Sequence, residues 1–244
     1  MTDHHDLQGR TALVTGATSG IGHAVAQHLA GLRARVVLVA RNADRGVQAA
    51  RAITAQGWDA RFVAADVTEP ADVTRLRDDV GDVDVLVNNA GMFFAAPTEK
   101  LAVEDFDAVF ALNVRAPFFL VAAFAPAMAA KGSGSIVNIG SMAGVIGMPG
   151  GSAYGASKAA LAALTRAWTA EYSAQGVRVN TVVPGPVYTG AGPKEVFDRI
   201  GATTALGRAA RPDEIAELVA FLATSRASYI TGAALAADGG RTVL

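Results

Sequence analysis

Short β-branched runs alternate with longer helical stretches along nearly the whole chain. This alternation limits the fold more than any other feature. Strands are expected at residues 11–15, 35–40, 61–65, 83–87, 135–139, 177–183 and 233–236. Helices are expected at 21–32, 44–56, 70–80, 104–130 (partly broken), 154–175 and 212–223. Strands separated by helices need right-handed crossovers and pair in parallel. The strands are apolar on both faces, as in a sheet covered by helices on either side. No linker, repeat or low-complexity segment interrupts the pattern. The expectation is therefore one doubly wound α/β domain over residues 1–244. In such a sheet ligands bind beyond the carboxyl ends of the strands, so each motif is judged by whether it falls there.

The first strand runs into Thr15-Gly16-Ala17-Thr18-Ser19-Gly20-Ile21-Gly22, which opens the first helix. Glycine lets such a turn close tightly and lets backbone N–H groups approach a pyrophosphate, and the helix N-terminus adds a favourable dipole. The spacing is Gly-x3-Gly-x-Gly rather than Gly-x-Gly-x-x-Gly, and a ligand-free glycine turn is the alternative. Past the second strand stand Ala40 and Arg41, with no acid at either position. An acid there would bond a ribose 2′-hydroxyl, whereas an Arg accommodates a 2′-phosphate. NADP(H) is therefore favoured over NAD, with Arg41 on the phosphate; a solvated surface Arg is the plain alternative. Asp66-Val67 and Asn88-Asn89-Ala90-Gly91 also follow strands, where a helix cap and a turn are the structural alternatives.

Ser141 lies just past the fifth strand, and Tyr154 and Lys158 lie one helical turn apart at the start of the next helix. A nearby ammonium would lower the phenol's pKa toward the range of a general acid–base. Ser141 would bond the substrate oxygen. Asn113 interrupts an apolar helix. Burying its amide is costly unless it is bonded, which suggests a structural water or relay at a local helix distortion. Each residue alone has a plain reading as a cap or a surface pair; their joint placement at strand ends does not.

Composition narrows the alternatives. The 244 residues include 21 basic and 22 acidic ones, so no basic excess supports binding to nucleic acid or to a membrane surface. There is no cysteine, and the four histidines (His4, His5, His23 and His28) form no ligand set, so no metal is expected. The N-terminus lacks a signal-peptide pattern, and residues 116–130 read as a buried core helix. A cytoplasmic location is expected by default.

These motifs together resemble those of the short-chain dehydrogenase/reductase family, in its compact branch that includes 3-oxoacyl-carrier-protein reductases. The resemblance runs from about Gly9 to the C-terminus. It is carried by the turn at Thr15 to Gly22, Asp66, the Asn-Asn-Ala-Gly run, Asn113, Ser141, Tyr154-x3-Lys158 and Pro184-Gly185-x3-Thr189. It implies a Rossmann-like fold with about seven parallel strands and the catalytic set Asn113, Ser141, Tyr154 and Lys158. Lys158 would also hold the nicotinamide ribose, and Pro184, Gly185, Val187 and Thr189 the nicotinamide end. Gly16, Thr18, Ser19, Gly20, Ile21, Gly22, Arg41, Asp66, Val67, Asn88, Ala90 and Gly91 would line the rest of the dinucleotide. Residues 186–211 would form a substrate lid, with Phe93, Ser141, Val145, Met148 and Tyr188 in the pocket. The implied activity interconverts a ketone and a secondary alcohol by hydride transfer. A carrier-linked 3-oxoacyl substrate would need basic docking residues, for which Lys131 and Arg178 are the candidates. An NAD-dependent alcohol dehydrogenase is a further alternative, and a non-catalytic dinucleotide sensor a more distant one. Relatives of this kind are commonly homotetramers, or else homodimers. Association through the two long helices would require apolar area on their outer faces.

Overall fold

A computed structural model describes residues 7–190 and 192–244; His4 and His5 lie outside the described residues. The strands are β1 (Thr11–Thr15), β2 (Arg35–Ala40), β3 (Ala60–Ala64), β4 (Val85–Asn88), β5 (Gly134–Ile139), β6 (Val177–Pro184) and β7 (Ala234–Ala237). They form one parallel sheet in the order β3-β2-β1-β4-β5-β6-β7. The order reverses between β1 and β4, and this opens a crevice at their carboxyl ends.

The helices are α1 (Gly20–Gly31), α2 (Ala43–Thr54), α3 (Pro70–Val80), α4 (Val103–Phe110), α5 (Ala116–Lys131), α6 (Ser152–Tyr172), α7 (Lys194–Gly201) and α8 (Pro212–Ala223). Side chains alternate across the sheet. Ala12, Val14, Val36 and Leu38 join α1, α2 and α8 in one core, while Leu13, Val37 and Val39 join α3, α5 and α6 in the other. The expected sheet with helices on both faces is present.

Three local differences matter. The helix expected at 104–130 is α4 and α5 joined by a π turn, Ala111–Arg115, with Asn113 inside it. Together Val103–Lys131 are long and apolar enough to cross a membrane, but Leu120, Val121, Phe124, Ala125 and Met128 pack into the core. The fourth strand begins at Val85 rather than Val83. Asp84 before it is buried, and its carboxylate accepts from the Thr11 N–H, Arg10 and Lys131 at the foot of the sheet. The 186–211 segment contains α7, whose apolar Val196, Phe197 and Ile200 sit at helical spacing too short to stand out in the sequence. A bridge between Val187 and Ala210 closes the base of this segment.

Candidate active site

The turn between β1 and α1 is a backbone cradle. Gly16 has φ +64°, a conformation that β-carbon-bearing residues rarely adopt. A Cβ on Gly22 would lie 2.3 Å from Asn89 Nδ2 and 2.4 Å from Gly16 O, so the turn closes only without it. The first turn of α1 has no acidic residue, and Ser19 makes no side-chain cap. The N-terminal end of the α1 dipole is thus left to an incoming anion, and the residues present fit a dinucleotide pyrophosphate. Thr18, Ser19 and Ile21 lie within this turn.

The loop after β4 braces the cradle. Asn89 Nδ2 donates to Thr15 O at 2.8 Å and to Gly16 O at 3.2 Å, and the N–H groups of Asn89 and Ala90 both donate to Thr15 Oγ1 at 3.0 Å. Asn89 is a bracing residue that the sequence reading did not single out. Asn88, grouped there with the cofactor residues, turns its side chain into the sheet, where it donates to Asn138 Oδ1 at 2.8 Å. Asn138 in turn donates to Thr165, which bonds Thr181. This buried polar ladder crosses β4, β5, α6 and β6, and only the strand register could reveal it.

Ser141 caps the short turn after β5, its Oγ accepting from the Ala143 N–H at 3.2 Å. Tyr154 sits in the first turn of α6, with Phe93 edge-on at 5.2 Å between ring centroids. Burial pushes the Tyr154 phenol above its ordinary pKa, and a hydrogen bond from Ser141 pulls it partly back. Lys158 is buried, and burial lowers its pKa to about 8. Its Nζ donates to Ile139 O at 2.8 Å and stands 5.7 Å from the Tyr154 ring centroid. The expected lowering of the Tyr154 pKa by Lys158 is therefore corrected: desolvation dominates at the phenol, and the ammonium is directed at a carbonyl.

Asn113 is wholly buried in the π turn. Its Oδ1 accepts from Met92 N at 2.9 Å, and its Nδ2 donates to Met92 O and Ser157 Oγ, each at 3.0 Å. The amide thus ties α6 to the loop that follows Gly91, so Ser157 belongs to the supporting set as well. The helix distortion anticipated from an amide in an apolar helix is present.

Around this centre, Pro184 ends β6, and Gly185 bonds back to Ala237 O at 3.2 Å. Val187 and Val67 are buried in the two cores. Thr189 reaches the glycine turn: a Cβ on Gly20 would lie 3.0 Å from Thr189 Cβ. Arg41 is 70% exposed past β2, its Nη1 3.8 Å from Asp66 Oδ2; Asp66 Oδ1 accepts from Thr68 N and Oγ1. Val145 is exposed and Met148 half-buried on the loop after Ser141. Tyr188 turns its hydroxyl to Asp198 of α7 at 2.5 Å.

The whole-chain comparisons agree with this geometry. The family model described as short chain dehydrogenase matches residues 10–198. A cis-4-hydroxycyclohexanecarboxylate dehydrogenase of Sinomonas cyclohexanicum is 42% identical, over 96% of this chain and 97% of its own length. A solved short chain dehydrogenase/reductase family protein is 49% identical with a TM-score of 0.93, over 98% of this chain and 100% of its own. The structure of a gluconate 5-dehydrogenase from Burkholderia cenocepacia J2315 in complex with NADP and tartrate is 31% identical with a TM-score of 0.92, over 99% and 98%. With a braced glycine cradle and Ser141, Tyr154 and Lys158 gathered at the carboxyl ends of the strands, this chain belongs to the short-chain dehydrogenase family, oxidoreductases that interconvert alcohols and carbonyls.

Proposed function

We propose that the protein is an NADP(H)-dependent oxidoreductase that interconverts a ketone and a secondary alcohol. The observation that carries this is the meeting of Ser141 with the half-buried Tyr154 and the buried Lys158 beside the dinucleotide cradle. The glycine turn would hold the dinucleotide, which would supply the hydride for reduction and accept it in oxidation. Ser141 Oγ holds the substrate oxygen. The Tyr154 hydroxyl gives that oxygen its proton in reduction and accepts it in oxidation. The Tyr154 phenol ordinarily titrates at 10.0 and burial raises it further, so it carries its proton at neutral pH, which suits the reductive direction. Lys158 stands ready as a buried cation beside the phenol, and Asn113 would anchor the relay that returns the proton.

The preference for NADP rests on Arg41, which is exposed beyond β2 with no acid at its own position. The NADP named with the gluconate 5-dehydrogenase agrees with it. Asp66 at 3.8 Å shares that guanidinium, so Arg41 must turn partly away from it to meet a 2′-phosphate. The substrate reading is a secondary alcohol on a small carbon skeleton, as the name of the Sinomonas cyclohexanicum relative suggests. A carrier-linked substrate is less favoured, because Lys131 pairs with Asp84 and Arg178 donates to Thr224 O. We also propose self-association through α4, α5 and α6. Phe106, Phe118 and Phe119 are each more than 40% exposed, and a cavity of about 610 Å³ lies between Asp107, Phe110, Val114, Phe118 and Leu164.

The deciding experiment follows loss of NADPH and NADH absorbance with cyclohexanone, linear ketones and 3-oxoacyl thioesters. Turnover of simple ketones with NADPH is expected. Tight dinucleotide binding with no turnover of any ketone would favour the sensor reading instead.

A further inference from the structure

A second cavity, of about 290 Å³, is lined by the loop that follows Ser141. Met142, Ile146 and Met148 form one wall, on the loop that begins one residue past Ser141. Ile200 of α7 lines it as well. Two cations also line it: Arg199 in the last turn of α7, and Arg241 near the C-terminus. An apolar hollow with a few convergent polar groups is the usual form of a small-molecule site.

The two arginines reach this hollow from separate parts of the chain, and the backbone around Arg241 is held in place. The carboxylate of the buried Asp238 accepts from Gly240 N at 2.9 Å and from Thr242 N at 2.9 Å, which fixes the turn bearing Arg241. Leu206 N donates to Gly239 O at 3.1 Å, which ties the segment after α7 to the same turn. Among the described residues, neither guanidinium forms an ion pair or side-chain hydrogen bond. The carboxylate nearest in sequence to Arg199, Asp198, is already engaged by Lys194 and Tyr188. Arg199 is exposed and Arg241 half-buried, so solvent screens their repulsion, while an anion seated in the hollow is attracted by both charges. Guanidinium groups match a carboxylate through paired, charge-assisted hydrogen bonds.

We infer that the substrate is an oxo acid and its product a hydroxy acid, with the carboxylate held by Arg199 and Arg241 and the hydrocarbon body against Met142, Ile146 and Met148. This deepens the oxidoreductase reading and rests on it. Discrimination comes from the charge-assisted hydrogen bonds to the two arginines, which a neutral analogue does not make.

The test uses the whole protein with saturating NADP. Calorimetry compares cyclohexanecarboxylate with cyclohexanecarboxamide, which has nearly the same shape and no charge. The acid is expected to bind at least about tenfold more tightly, with the gap narrowing as salt rises. In Arg199→Met and Arg241→Met the ratio falls toward one. In turnover, 4-oxocyclohexanecarboxylate is expected to have a KM at least about tenfold below that of its methyl ester at similar kcat. In the variants that KM advantage is lost. Equal binding of acid and amide by the unaltered protein overturns the proposal, whether or not ketones are reduced. Preferred binding of the acid with no reduction of any ketone leaves the anion site standing and overturns the oxidoreductase reading alone.

Discussion

The Lys158 ammonium donates a 2.8 Å hydrogen bond to the main-chain oxygen of Ile139, the last residue of β5, while standing 5.7 Å from the Tyr154 ring centroid. The lysine therefore locks the start of α6 to the end of the strand that presents Ser141. It does so as a buried charge, which is why its pKa falls to about 8.

That burial sets a pH dependence of stability. Below about pH 8 the folded protein carries the full penalty of burying the ammonium, and above the unfolded value of 10.5 the penalty is gone. Between these limits the unfolded chain binds the extra proton, so stability rises with pH. Thermal or urea unfolding of the wild type and Lys158→Met, compared at neutral pH and near pH 10.5, should show the wild type gaining about 2–3 kcal/mol on the variant. A difference that does not change with pH would show that the ammonium is not desolvated.

Tyr154→Phe keeps the ring against Phe93 and removes only the proton donor. We expect kcat to fall by about 10²–10⁴-fold, with dinucleotide affinity nearly unchanged. Steady-state rates and NADPH fluorescence titration check the two halves separately. A variant that still turns over well would move the acid–base role elsewhere.

Gly22→Ala places a methyl group on Asn89 Nδ2 and Gly16 O, and so disrupts the brace between the two loops. The expected result is a loss of NADPH affinity beyond about tenfold and of stability by about 1–3 kcal/mol. Titration and chemical unfolding would read both. Unchanged affinity would mean that the cradle does not seat the pyrophosphate.

Arg41→Asp should reverse the ratio of kcat/KM for NADPH and NADH while barely altering the melting temperature, because Arg41 is 70% exposed. Measured with one ketone and both dinucleotides, an unchanged ratio would remove Arg41 from cofactor choice.

Much of the site was legible because it is local. The glycine turn, Ser141, and Tyr154 with Lys158 one turn later each announce themselves by spacing next to a strand or helix, and the strand–helix alternation dictates a parallel, doubly wound sheet. Asn113 was legible as an anomaly, since an amide in an apolar helix needs partners; the sequence could not say that these would be Met92 and Ser157. Strand ends were read less well, as at Val85, because a buried Asp84 inside an apolar run gives no periodic signal.

The alternation and the motifs by themselves determined the fold class, and they marked the glycine turn and the cluster of Ser141, Tyr154 and Lys158, because period and turn chemistry are properties of neighbouring residues. Only the tertiary structure decided that Asn89 rather than Asn88 braces the cradle and that Lys158 points to Ile139. It also brought Arg199 and Arg241 to one cavity. These relations join residues far apart in the chain. Register, helix docking and burial set their distances and pKa values, and all three come from packing the whole molecule.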